Sequence, residues 1–147
     1  MTDTGTLELN RMNGILMALN TAFSERYHSL AQYILNARPY LRPGEERILQ
    51  RISEISEYDG DEAERLAEVI ESLGGVPQVG TYHHFIAELN YLTIGHQRDF
   101  LMDTLGSQLA AYESSMELAK DCIPARNAFN CLCQALQTHI EALKHAR

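Results

Sequence analysis

The chain is short of positive charge. Across 147 residues it carries 12 Lys and Arg against 20 Asp and Glu, a formal net charge of −8. Its opening stretch, MTDTGTLELN, holds no Lys or Arg. General nucleic-acid binding draws its free energy from basic side chains that neutralise phosphates, and neither the net charge nor a basic arm supplies it. Long apolar runs are also missing, since hydrophobic stretches are short and regularly interrupted; this argues against a membrane span or a secretory signal, and a soluble, cytoplasmic protein is expected. The three cysteines, Cys122, Cys131 and Cys133, are too few for a disulfide framework. Cys131 and Cys133 point to nearly opposite sides of a helix, so they cannot share one metal, and packed, reduced thiols are expected. Strand-like alternation, low-complexity tracts and short repeats are absent too.

What is there reads as helix. Composition is that of an ordinary globular chain, 45% hydrophobic and 22% charged, with length for one domain and no second. Residues 1–6 are expected as a disordered tail. A first helix is expected from about Leu7 to Arg38, where Pro39 stops it. "RPYLRPGEE" is a turn, and Pro43 with Glu45 and Glu46 suits a new helix start. That helix should reach about Leu73, ahead of Gly74-Gly75 and Pro77. An irregular segment follows, "GGVPQVGTYHHFIAELNYLTIG", whose second half has room for a short helix. A third helix is expected from about His96 to Asp121 and a fourth from near Pro124 to the C-terminus. Four long helices with a connector of roughly twenty residues in the middle fit an all-α, up-down-down-up four-helix bundle in which the second connection crosses the whole bundle. Two stacked helical hairpins would satisfy the same segments.

The acid-rich stretch "SEYDGDEAERL", residues 56–66, tests this reading. In the second helix Ile48, Ile52, Ile55, Leu66, Val69, Ile70 and Leu73 share a face, and their phase holds across Gly60. One continuous helix is therefore expected, in which glycine costs about 1 kcal/mol relative to alanine. At 100° per residue, Asp59 and Glu62 fall within roughly 40° of the stripe's centre, whereas Glu57 and Asp61 point away. An EF-hand is excluded, because the D-x-D-x-D-G order and the closing Glu are absent. Carboxylates facing the middle of a closed bundle need a cation, a metal or a proton.

Candidate partners follow from the other stripes. The first helix packs through Met12, Leu16, Leu19, Phe23, Leu30 and Ile34. Glu25 and His28 have metal-ligand spacing but lie roughly 150° from that stripe, so they are expected outside, whereas Arg26 and Tyr27 flank the seam. An inward Arg26 can bond carboxylates through its planar fork. The third stripe is Met102, Leu105, Leu109, Tyr112, Met116 and Ile123, with Asp99, Asp103 and Glu113 outside it. The fourth is Phe129, Leu132, Leu136, Ile140 and Leu143, with His139 roughly 50° off centre, within reach of the interior. His83, His84 and His96 show no pattern.

Three segments carry a family resemblance. "AQYILNAR" (residues 31–38) resembles the end of a bacterioferritin first helix, "EAERLAEVIESLGGVP" (62–77) its second helix leading into the crossover, and "HIEAL" (139–143) the segment around the last metal ligand. The chain thus resembles the ferritin-like superfamily, in particular bacterioferritins and the starvation-induced DNA-protection proteins. That family's di-iron centre uses Glu on the first helix, Glu-x-x-His on the second, Glu on the third and Glu-x-x-His on the fourth. The register implied by the resemblance puts Arg26 at the first ligand, Asp59 and Glu62 at the second pair, Met102 or Asp103 at the third, and Leu136 and His139 at the fourth pair. Gly60 falls where bacterioferritins keep the haem methionine, so no haem is expected.

The resemblance therefore implies a degenerate centre. One expectation is a buried ion-pair network of Arg26, Asp59 and Glu62 in place of the metal, since carboxylates stranded by a lost ion need another positive charge. The other is a reduced metal site of Asp59, Glu62 and His139 holding a single weakly bound ion, iron among the candidates. The function implied is that of a homo-oligomeric structural or interaction protein, a dimer or larger, linked to iron or oxidative stress and not an enzyme. The alternative is an iron-binding ferroxidase or storage protein with a rearranged site, in which a distortion at Gly60 brings Glu25, His28 or Asp103 inward. A DNA-protecting shell fits the acidic charge least well.

Overall fold

Helices start where backbone N–H groups find caps and stop where glycine or proline breaks the ladder. The computed structural model describes residues 2–81 and 92–146. It contains α1 (Thr2–Tyr27), α2 (Leu30–Asn36), α3 (Glu46–Ser72), α4 (Ile94–Leu118) and α5 (Ile123–His145), and no strand among the described residues. His83 and His84, with most of the expected short connector helix, fall outside the described residues.

Two expectations for the first helix are corrected. α1 begins at Thr2, ahead of the start expected near Leu7. The stretch expected to be continuous to Arg38 is broken at Ser29, whose backbone turns extended at φ −58 and ψ 122. The Ser29 hydroxyl accepts from Gln32 N at 3.2 Å and so caps α2, the role in which serine competes best with an unbroken helix. α2 ends as Arg38 adopts a left-handed φ of 49 ahead of Pro39, a residue barred from ordinary helical geometry by the proline ring.

α3 runs unbroken through Gly60, as its hydrophobic phase requires. It closes in a Schellman motif: Gly74, at φ 85, donates to Glu71 O at 3.0 Å, and Gly75 donates to Ile70 O at 2.9 Å. α4 is capped by Thr93, whose hydroxyl accepts from His96 N at 3.3 Å, and α5 carries Pro124 in its first turn.

Side-chain pairs set the directions of the helices. Arg26 meets Asp59, Gln32 meets Ser56, and Leu16 lies against Gly75, so α1 and α2 run antiparallel to α3. Past Gly75 the chain turns back along α1: Asn20 bonds Val76 and Gln78, and Ser24 Oγ donates to Val79 O at 2.6 Å. α4 runs antiparallel to α1, with Tyr112 at Glu25 and Leu118 at Gly14. α5 runs antiparallel to α4, with Phe129 at Tyr112 and Ala146 at Arg98. Consecutive helices α3 and α4 therefore point the same way.

The core is made by Ile15, Leu19, Ile52, Ile55, Leu66, Ile70, Leu101, Leu105, Phe129, Leu132, Leu136 and Leu143, all buried, each large aliphatic or aromatic side chain contributing about 1.5–3 kcal/mol. In α1 the buried set is Ile15, Leu19, Ala22, Phe23 and Arg26, while Leu16 is only partly buried. The α1 wheel is thus rotated from the expected Met12–Leu16 centre, which brings Glu25 onto a flank. Ile123, expected in the α4 stripe, is 60% exposed because α4 has already ended at Leu118 and Ile123 opens α5.

Gly60 is exposed, and a Cβ there would meet nothing within 4 Å. Gly60→Ala should raise the unfolding free energy by about 1 kcal/mol. Urea denaturation of the two proteins measures it, and a loss of stability would mean that α3 is not helical at that position.

Candidate functional site

The feature with most chemistry lies where α1, α3 and α4 meet. Arg26, at the last turn of α1, is only 2% exposed, and Asp59, in the middle of α3, is equally buried at 2%. Arg26 Nη1 donates to Asp59 Oδ1 at 2.9 Å, and Nη2 donates to Gln108 Oε1 on α4. The second Asp59 oxygen accepts from Ser29 Oγ at 2.7 Å. Ser29 therefore does two jobs with one hydroxyl, accepting from the first turn of α2 and donating to the carboxylate. Beside the guanidinium stands Tyr112, its ring centroid 6.0 Å from Arg26 Cζ and its hydroxyl donating to Glu25 Oε1 at 2.8 Å.

Electrostatically the pair is under tension. Burial pushes the Asp59 carboxyl up from its usual range, while the Arg26 guanidinium and the Ser29 hydroxyl pull it down. Burial would lower Arg26, but Asp59, Tyr112 and Glu25 leave it raised. The two directions disagree about the carboxyl: the raised guanidinium favours an ionised pair and the raised Asp59 a neutral acid. We take the pair as ionised at neutral pH, because an arginine does not lose its proton and both Asp59 oxygens are occupied by donors.

Glu62, one turn along α3, is also buried, but its partner is not the expected one. Arg65 Nε, from the same helix, donates to Glu62 Oε2 at 2.9 Å, so the expected network of Arg26, Asp59 and Glu62 is corrected to Arg26–Asp59 and Arg65–Glu62. The geometric reason is spacing: Arg65 is three residues on and reaches Glu62 from the edge of the bundle. Glu57 and Asp61 are exposed, as the wheel requires. Tyr58 lies under Arg65, 5.8 Å from ring centroid to Cζ, and burial together with the Glu62 charge raises its hydroxyl well above the usual range.

His139 packs its ring edge-on against Tyr58, with centroids 4.8 Å apart. Burial and the positive charge of Arg26 lower it to about 4, against an upward pull from Glu54, and its Nε2 is buried with no partner among the described residues. It does not join Asp59 and Glu62 in a ligand set. Among the described residues, no group of three or more His, Cys, Asp or Glu is placed to hold a metal ion.

The remaining candidates divide. Glu25, expected outside, is half-buried and bonds Tyr112; this correction follows from the rotated α1 wheel. His28 is half-buried, with Nε2 3.4 Å from Gly80 O. Tyr27, expected to flank the seam, is 56% exposed. Asp103 is exposed, Met102 half-buried and Leu136 fully buried. Cys133 is buried, Cys122 half-buried and Cys131 exposed, all free thiols. Ser29, Gln108 and Tyr112 complete the site without having been singled out for it; of these only Tyr112 carried a sequence signal, as the one polar tip in its stripe. No protein family, curated protein or solved structure matches the chain.

Arg26→Met leaves Asp59 buried without its counter-charge and should cost about 3–5 kcal/mol of stability, whereas Arg26→Met with Asp59→Leu should recover most of that loss. A denaturation double-mutant cycle checks it; additive losses would show that the two side chains do not act as a pair. For His139 the folded state holds the neutral ring. Its contribution is full above the unfolded value near 6.5 and is lost as pH falls towards about 4. Stability measured across that window should drop less in His139→Gln, and a histidine proton resonance titrating near 6.5 at this position would contradict the assignment.

Proposed function

We propose that the protein is a ferritin-like four-helix bundle whose di-iron centre is largely lost, and that it works as a homo-oligomeric structural or interaction protein linked to iron or oxidative stress rather than as an iron-oxidising enzyme. The observation that carries this reading is the 2%-exposed Arg26 guanidinium, 2.9 Å from Asp59 at the bundle centre. The resemblance puts the first iron ligand at that position. A fixed guanidinium there opposes the entry of a divalent ion and meets the charge that the ion would have neutralised. The helix directions support the same reading: up for α1, down for α3 and α4, up for α5 is the order of ferritin-like bundles, with one crossing connection. Met17, Tyr27, Val76 and Val79, all exposed along α1 and the segment beside it, offer apolar surface for a second copy.

One observation favours the alternative, an iron-binding protein with a rearranged site. Glu25 lines the same cavity as Asp59, so two carboxylates are available if Arg26 leaves. His28 lines that cavity as well, whereas the exposed Asp103 gives the alternative no comparable support.

Protein purified without chelator should contain no stoichiometric metal by elemental analysis. Its melting temperature should be unchanged by EDTA, and light scattering should give more than the mass of one chain. Stoichiometric iron that disappears in Asp59→Ala would overturn the proposal in favour of the alternative.

A further inference from the structure

Beside the ion pair, between α1 and α4, lies a cavity of about 370 Å³, at the small end of the range for small-molecule sites, about 300–1,000 Å³. Leu30, Phe100, Leu101 and Leu105 make its apolar wall. Its charges come close to cancelling. Asp59 is answered by Arg26, and Glu25 shares the lining with His28. The site therefore carries one net negative charge while His28 is neutral and none once His28 is protonated, which selects neither a cation nor an anion.

The hydrogen-bonding groups sort by what they have left. Both Asp59 oxygens are taken, by Arg26 and Ser29, and the Ser24 hydroxyl donates to Val79 O. Arg26 spends its two terminal nitrogens on Asp59 and Gln108, and its Nε is sealed from the cavity. The lining hydroxyls of Thr81, Thr104 and Ser107 rotate to donate or accept, and a histidine ring does either, so none of these selects a ligand. Two groups of fixed polarity remain. Tyr112 occupies only Oε1 of Glu25, which leaves Oε2 as an acceptor. Gln108 turns its Oε1 to the guanidinium, which can only donate, and so keeps its amide nitrogen as a donor. Neither atom is sealed, and they come from opposite walls, Glu25 from α1 and Gln108 from α4.

We propose that this cavity binds a small neutral carboxamide carried on an apolar body. The amide N–H donates to Glu25 Oε2, its carbonyl accepts from the Gln108 amide nitrogen, and the body lies against Leu30, Leu101 and Leu105. One planar group holds donor and acceptor on separate atoms and so serves both walls at once, whereas a hydroxyl must do both from a single oxygen. A carboxylate would bring acceptor to acceptor at Glu25, and an ammonium would bring donor to donor at Gln108. The inference rests on the metal-free reading of the same centre, since an ion held by Glu25 would take the acceptor.

The test is ligand-observed NMR and thermal shift, on protein shown by elemental analysis to be free of metal, with benzamide as probe and methyl benzoate, benzoate and benzyl alcohol as matched controls. Benzamide should bind with a Kd of about 1 mM or tighter and raise the melting temperature. Methyl benzoate, without the N–H, benzoate, with a charge in its place, and benzyl alcohol should each bind about tenfold more weakly. Glu25→Gln keeps an oxygen for Tyr112 but turns an N–H towards the ligand, so it should weaken benzamide about tenfold and strengthen methyl benzoate. Asp103→Asn, at an exposed position outside the cavity, should change neither. Methyl benzoate or benzyl alcohol binding the natural chain as well as benzamide does, or an unaltered benzamide affinity in Glu25→Gln, would overturn the assignment. Folded, metal-free protein that ignores benzamide defeats this inference alone; protein found loaded with iron defeats the metal-free reading and the inference with it.

Discussion

The bundle is organised around one charge that cannot leave. A guanidinium sealed between helices loses its hydration, and only bonded neighbours of opposite or complementary polarity make that tolerable. Asp59 supplies the charge, Gln108 a second acceptor and Tyr112 an aromatic wall. The demands spread outward. Asp59 needs a donor for its other oxygen, Ser29 is that donor, and the turn that presents Ser29 is the break between α1 and α2. A local irregularity of the backbone thus follows from an electrostatic requirement at the centre.

Asp59 and Glu62, so close in the sequence, meet different fates because their surroundings differ. Asp59 is answered across the bundle by a side chain as buried as itself. Glu62 is answered by Arg65 from its own helix, whose side chain remains 59% exposed and carries the pair out to solvent. The dry pair resists salt and its loss is costly; the wet one is screened and contributes little. The two acids therefore do not form one centre. His139, held neutral against Tyr58, belongs to α5 and faces α3 from there.

Much of this was legible in the residues. The phase of Ile48 to Leu73 carried α3 through Gly60 and put Asp59 and Glu62 inside, because a long amphipathic helix fixes the bearing of every position along it. Proline and glycine placed the ends of α2 and α3. The first helix was harder to read. Ile15 and Leu16 are both apolar, so the wheel had two acceptable centres, and only packing against α3 and α4 selects Ile15; Glu25 moves inward as a result. Ser29 was illegible for another reason. A serine inside a helical pattern is ordinary, and what makes this one a cap is a carboxylate thirty positions away. Gln108 likewise gains its role only when α4 docks.

The separations along the chain carry a final consequence. Arg26 and Ser29 reach Asp59 across 33 and 30 positions, while Gln108 lies 82 from Arg26. Closing the shorter loop is entropically easier by about 0.8 kcal/mol. The first half of the polypeptide therefore contains everything required to quench its own interior acid, and the later helices dock onto a surface whose ionic account is already settled.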